Sequence, residues 1–344
     1  MAEIMTPTPP LSAQWLAHRF DPIHDAFQFV SVDRAHRQSV PFLTDEHIGS
    51  AAEPLVITRS NVSGLIDMHR PLHYIFHSAY CCSTLLVNAL DQSGSASGLK
   101  EPVVLNDLVG WRHRGGDPTK IADVLTTTLG LLARPFEGTE AVIVKPSNAV
   151  NGLAAAMMTL RPNAHAILLY APLRTFLTSI ARKGMWGRLW VRELLSLQLK
   201  DGLVDLGFSP PDYLRHTDLQ AAAVGWLAQQ KLFSQLAARW PSRVMTLCSE
   251  ELTASPVTAV GACATFFGLA TNPESYPNNI EQAFNRDAKD GTVFLPGQRE
   301  RTQQNGEALH ADEIDKVMVW AEAVAATADV PLSLSNRLLR TRAV

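Results

Sequence analysis

The sequence predicts an α/β fold built on a mainly parallel central sheet flanked by helices. Three observations predict it. Four short apolar runs read as buried strands: residues 73–77 (HYIFH), 141–145 (AVIVK), 165–170 (HAILLY) and 243–248 (RVMTLC). Runs of this length, bounded by polar or turn residues, suit parallel strands covered on both faces. Helical patterns lie between them. Leu85, Leu86, Ala89 and Leu90 share one side of residues 83–90, and Trp226, Phe233, Ala237 and Trp240 recur at helical spacing in 220–240. Strands alternating with helices form parallel sheets, and ligands of such sheets sit beyond the carboxyl ends of the strands.

The remaining segments follow from composition. The chain has 344 residues, 46% of them hydrophobic, enough for a substantial core. Residues 71–344 read as the α/β domain and 1–70 as a lead-in. Within the lead-in, 1–12 are rich in Pro and Thr and read as a loose terminus, while 13–70 read as a small helical or hairpin segment with no assigned chemistry. Turn-rich loops are expected at 110–118 (GWRHRGGDP) and 272–279 (NPESYPNN), and a polar, mobile or substrate-facing segment at 296–307.

Charge and cysteine usage exclude several classes. A net charge of -3 gives nothing that attracts nucleic acid. The start lacks a basic region followed by an apolar one, and the apolar stretches 151–160 and 256–270 fall short of the roughly 18–20 residues a span needs. A cytoplasmic protein without a membrane span is expected. The four cysteines form no CxxC pair and the 11 histidines no HExxH, so neither a disulfide framework nor a metal site is expected.

The sharpest local feature is YIFHSAYCCSTLLVNALD, residues 74–91. A strand runs into a loop of small and hydroxyl residues that enters a helix at Ser83 and Thr84. Backbone N–H groups at a helix start carry partial positive charge and accept phosphate or sulfate, and the two hydroxyls add donors. Against the ATPase loop GxxxxGK[ST] the length fits, with Thr84 last. His77, Cys82 and Ser83 stand where two Gly and the Lys belong. A plain strand–turn–helix capped by Ser83 would also account for this stretch.

A second feature is charge patterning. No Asp or Glu occurs between Glu140 and Glu193, while Lys145, Arg161, Arg174, Arg182, Lys183, Arg188 and Arg192 do. Clustered cations hold an anionic ligand, and the arginine fork suits phosphate and sulfate. A solvated helix face reads the same way. Lys145 ends a predicted strand and is therefore expected at the sheet edge that carries the loop.

Taken in order, these residues resemble the sulfotransferases that use 3′-phosphoadenosine-5′-phosphosulfate. Ala79-Tyr80-Cys81-Cys82-Ser83-Thr84-Leu85-Leu86 is similar to their loop P-[KR]-[ST]-G-[ST]-T-[LW]-L, with Tyr80 for the basic residue and Cys82 for Gly. Leu99-Lys100-Glu101-Pro102 puts Glu101 where the tyrosylprotein sulfotransferases carry their base. Residues 170–179 resemble the 3′-phosphate motif, with Pro172 in place, Thr178 for its Ser and Tyr170 for its Arg. Residues 243–269 resemble the late strand and helix ending in FxGL. Residues 284–294 (FNRDAKDGTVF) resemble the basic segment that closes on the 3′-phosphate.

The resemblance covers roughly residues 73–295 and implies a P-loop NTPase-like three-layer sandwich. It implies that the phosphosulfate is co-substrate, that no metal is needed, and that the acceptor is a hydroxyl-bearing small molecule, glycan or peptide. Ser78, Ala79, Tyr80, Cys81, Cys82, Ser83 and Thr84 would hold the donor. Arg174, Thr178, Arg182, Arg286 and Lys289 would hold its 3′-phosphate. Glu101 is the candidate base by position, and His77 the alternative by its resting pKa. Lys145 would steady the transferring group. Two other readings stay open: a P-loop-like nucleotide-binding protein that has lost catalysis, and a divergent nucleotide kinase.

Overall fold

The computed structural model describes residues 11–49, 53–138, 140–271, 280, 281, 283–285 and 298–339. Two sheets are present among them. The first is antiparallel, in the order β1-β2-β3, from β1 (Trp15–Asp21), β2 (Ala26–Ser31) and β3 (Leu55–Thr58). Asp25, with φ 47°, turns the hairpin between β1 and β2. Both forms read for the lead-in occur, the hairpin of β1 and β2 and short helical stretches at Arg34–Ser39, Asp45–Ile48 and Arg59–Leu65.

The second sheet contains β4 (Leu72–His77), β5 (Ala96–Lys100), β6 (Ala141–Lys145), β7 (Ala166–Tyr170) and β8 (Val244–Cys248). It is a five-stranded parallel sheet in the order β5-β6-β4-β7-β8, flanked by helices. The strand that carries the loop is central. All four apolar runs are strands, each within a residue of its expected bounds. The fifth, β5, has the sequence ASGLK and shows no apolar run, yet all five residues are buried. Gly98 explains part of this: a Cβ there would lie 2.5 Å from Val87 Cγ1, so a helix packs where a side chain would stand.

The helices follow in chain order: α1 (Arg34–Ser39), α2 (Asp45–Ile48), α3 (Ser83–Leu90), α4 (Val104–His113), α5 (Pro118–Leu132), α6 (Ala154–Leu160), α7 (Leu173–Arg182), α8 (Gly184–Lys200), α9 (Pro210–Arg215), α10 (Asp218–Arg239), α11 (Ser249–Ala254), α12 (Pro256–Phe267) and α13 (Gln298–Thr327). The start of α10 is set by a capping box, in which Thr217 Oγ1 accepts from Gln220 N–H and the Gln220 side chain accepts from Thr217 N–H.

One loop expectation is corrected. Helix α4 continues through Trp111 to His113, because Leu105, Leu108 and Val109 give it a buried face. From Gln298 onward the polar segment is helical, as the first turns of α13. The loop expected at 272–279 lies outside the described residues.

Contacts divide the chain into two compact units. One comprises Met1–Phe76, Thr84–Ala166 and Val260–Gly291; the other comprises His77–Ser83, Ile167–Ala259 and Thr292–Val344. Among the described residues no helix is long and apolar enough to cross a membrane.

Candidate functional site

The loop after β4 is held in an unusual backbone conformation. Ala79, Tyr80 and Cys82 have φ of 68°, 51° and 64°. Left-handed backbone costs a non-glycine residue roughly 1–2 kcal/mol, and such residues gather at ligand clamps. The loop is anchored from its own unit. Ser78 N–H donates to the Leu169 carbonyl (3.1 Å), and Ala171 N–H donates to Ser78 Oγ (3.2 Å). Trp226, fully buried in α10, donates its indole N–H to the Ala171 carbonyl at 2.9 Å. Thus a helical residue 55 positions beyond Ala171 fixes the backbone against which the loop rests.

Tyr80 stands where the resembled loops carry a cation. Its ring meets Trp190 edge-on at 5.5 Å and Phe176 at 6.1 Å. Burial pushes its phenol up to about 12, so it stays neutral and acts as an aromatic plug. Cys81 is buried and Cys82 half-buried, both as thiols. Ser83 and Thr84 open α3 and are themselves buried. His77 is buried at the end of β4, and its Nδ1 accepts the Ala79 N–H at 3.1 Å, so it serves the loop turn directly.

The other unit brings two of the expected residues together. Lys145, at the end of β6, is ion-paired to Glu101, which follows β5. The Lys145 side chain is 1% exposed and that of Glu101 20%. The backbone supports the pair: Glu101 N–H donates to the Lys145 carbonyl at 2.6 Å, and Glu101 has φ 54°. In the ladder Lys100 stands opposite Lys145. The carboxylate therefore turns away from the strand direction by a left-handed step and folds back onto the neighbouring strand's terminal cation.

Sequence reasoning missed the surroundings of this pair. Lys100 is also buried. Its ammonium donates to the Gln38 carbonyl (2.9 Å) and to Asn88 Oδ1 (3.0 Å). Burial lowers its pKa to about 8, with the Lys145 charge lowering it further and Asp91 opposing. Leu43 N–H donates to the Lys100 carbonyl at 2.7 Å, and the Phe42 ring lies 5.0 Å from Lys145 Nζ. The lead-in thus lies across the ends of β5 and β6. The adjacency of Lys100 and Glu101 was the available signal; the role of Gln38–Phe42 left none.

The acid-free stretch meets acids from elsewhere in the chain. Arg174 pairs with Asp315 at 2.7 Å, Arg188 with Glu313 at 2.8 Å and Arg192 with Asp218 at 2.5 Å. Absence of acids along the chain is not absence in space, because α13 and α10 supply them. Thr178 is buried, and its hydroxyl donates to the Arg174 carbonyl at 2.9 Å. Arg182 is exposed at the end of α7. Arg286 and Lys289 lie outside the described residues. Among the described residues no group of three or more His, Cys, Asp or Glu is placed to hold a metal.

No family model matches the chain, and no curated protein does. Solved structures resemble it. One is a sulfotransferase domain from the curacin biosynthetic pathway, with a TM-score of 0.41 and 11% identity, covering 76% of this chain and 99% of that one. Another is a sulfotransferase domain from the Synechococcus PCC 7002 olefin synthase, with a TM-score of 0.36 and 11% identity, covering 67% of this chain and 84% of that one. Both solved domains are sulfotransferases. At 11% identity, a functional reading of this chain rests on the side chains described above.

Proposed function

We propose that the chain transfers a sulfuryl group from 3′-phosphoadenosine-5′-phosphosulfate to a hydroxyl acceptor. The observation that carries this reading is the loop of Ser78–Thr84, with three non-glycine residues held left-handed directly before a helix start. Strain of that kind persists where a ligand uses the shape it produces.

The roles follow from the needs of the transfer. The acceptor oxygen forms a bond to sulfur as the bond from sulfur to the 5′-phosphate oxygen breaks. The acceptor proton passes to Glu101, with His77 the alternative acceptor. Loop N–H groups, Ser83, Thr84 and Lys145 neutralise charge that grows on the leaving phosphate. Arg174 and Arg182 hold the 3′-phosphate, and Thr178, whose hydroxyl is spent on the Arg174 carbonyl, serves the helix instead. The Glu101–Lys145 pair supports this assignment, because one contact holds a base and a cation at adjoining strand ends.

The test is calorimetric titration of the full chain with adenosine 3′,5′-bisphosphate, followed by transfer of labelled sulfate to phenolic, sugar and tyrosyl-peptide acceptors. Saturable binding, weakened by Arg174→Ala, supports the reading; no binding at millimolar ligand removes it. A second reading is favoured by Tyr80, which fills the place of the loop cation. In that reading the chain binds the nucleotide without transfer, and the acceptor screen returns binding with no labelled product.

A further inference from the structure

A cleft opens at the opposite ends of the strands. It lies where β4 and β6 begin, at Leu72 and Ala141, whereas Lys145 and the phosphate loop follow strand ends. Its volume is about 620 Å³, within the size range of small-molecule sites. All of its lining belongs to one compact unit.

The lining has a marked chemical bias. His69, Arg70, His73 and Arg161 contribute to it, and no Asp or Glu does among the described residues. Two acids outside the lining meet it, one of them balancing Arg70. Asp67 pairs with Arg70 Nε at 3.2 Å, and Glu140 accepts from Arg34 (2.6 Å) and from Gly94 N–H (2.7 Å). Arg161 is 3% exposed, a depth that an arginine rarely reaches. Its guanidinium is oriented by donation to the Arg70 carbonyl (2.6 Å) and to the Met68 sulfur (3.2 Å).

Among the described residues the buried Ser95 Oγ, from the lining, has no hydrogen-bond partner. The Tyr74 hydroxyl, outside the lining, has none among them either and interacts electrostatically with Arg161. A buried hydroxyl left so costs about 1–3 kcal/mol, which a ligand oxygen would recover. His73 is kept neutral mainly by its burial. It stacks on Phe267 at 5.0 Å, and burial, then His165 and Arg161, lower its pKa to about 4. Leu72, Leu160, Pro162, Phe267 and Leu269 supply apolar walls.

We infer that this cleft is a second ligand site, for an organic anion whose carboxylate or phosphate meets Arg161 and Ser95 and whose apolar body meets Phe267 and Leu269. It is separate from the transfer site and stands whether or not that reading holds. The experiment is titration of the full chain with phenyl phosphate and with benzoate, in saturating adenosine 3′,5′-bisphosphate. Saturable binding of at least one probe is expected, and the stronger of the two identifies the headgroup. Asn163→Asp, at an exposed lining position, should weaken it roughly threefold. Arg161→Gln should weaken it on the order of tenfold or more, and Thr84→Ala should leave it unchanged. Because Arg161 is buried, its variant is compared only if its circular dichroism matches the parent; Asn163→Asp carries the test otherwise. No saturable binding of either probe, or binding indifferent to Asn163→Asp, overturns the inference.

Discussion

Glu101 and Lys145 are ion-paired across adjoining strands, with the lysine almost wholly buried. Removing one partner of such a pair leaves the other charge uncompensated, which costs more than the pair contributes. Glu101→Gln should therefore destabilise the fold by about 3 kcal/mol, read by chemical denaturation. Lys145→Met should cost less, since Glu101 retains water on one side. If Glu101 is the base, Glu101→Gln also lowers transfer about 10²- to 10⁴-fold while bisphosphate binding persists. Unchanged transfer with binding intact would refute that role.

The loop makes its own prediction. Ala79→Gly relieves left-handed strain but loosens the unfolded chain, so the two effects nearly offset and stability should hold within about 0.5 kcal/mol. Ala79→Val introduces a β-branched residue at φ 68° and should cost about 2 kcal/mol or more. Thermal melts of the two variants check this. Bisphosphate affinity should follow the loop's shape, retained in the first and lost in the second.

Trp226 tests the anchoring of that loop. Trp226→Phe keeps most of the ring but leaves the Ala171 carbonyl without its indole donor. A loss of about 1–3 kcal/mol is expected. Hydrogen exchange at the Ala171 and Ser78 amides should rise more than exchange in α5, which lies far along the chain.

Arg174 separates binding from folding. Its pair with Asp315 is exposed on both sides, 40% and 60%, and pairs of that kind contribute about 0–1 kcal/mol. Arg174→Ala should leave the melting midpoint nearly unchanged and weaken bisphosphate binding about tenfold, or more. Asp315→Ala should leave the midpoint equally unmoved and strengthen binding, by freeing the guanidinium from a competitor.

His73 sets an acid dependence. Its pKa is about 4 in the fold against 6.5 ordinarily, so between those values the unfolded chain binds the extra proton. Stability then rises with pH through that window and falls as pH drops from 6.5 towards 4, by an amount on the order of 3 kcal/mol. His73→Gln retains an acceptor for the His165 N–H and removes the titration. Its denaturation midpoint should vary less between pH 4 and 6.5 than that of the parent.

The parts legible in the sequence were those written in local apolar runs. AVIVK and HAILLY are strands because nothing in them suits water, and β4 announces itself likewise. ASGLK was not legible as a strand: Gly98 is there to admit Val87, a partner that sequence cannot show. The site divides the same way. Glu101 and Lys145 were each expected, on separate grounds, but their contact depends on a left-handed step at Glu101 that no residue type signals. The pairing of the basic stretch was not legible because neutralisation is three-dimensional: Asp218, Glu313 and Asp315 stand 26 to 141 residues along the chain from Arg192, Arg188 and Arg174.

The segment that lies over Lys100 and Lys145 also sets where the chain can be shortened. Gln38 holds one ammonium by its carbonyl, and Phe42 covers the other. A fragment starting at residue 71 would keep every strand of the parallel sheet and still open both lysines to water. Their hydration would draw Glu101 into solvent exchange, and the covered ends of β5 and β6 would become an ordinary wet surface. The smallest fragment that keeps both lysines covered therefore begins ahead of Gln38, well upstream of the first strand of that sheet.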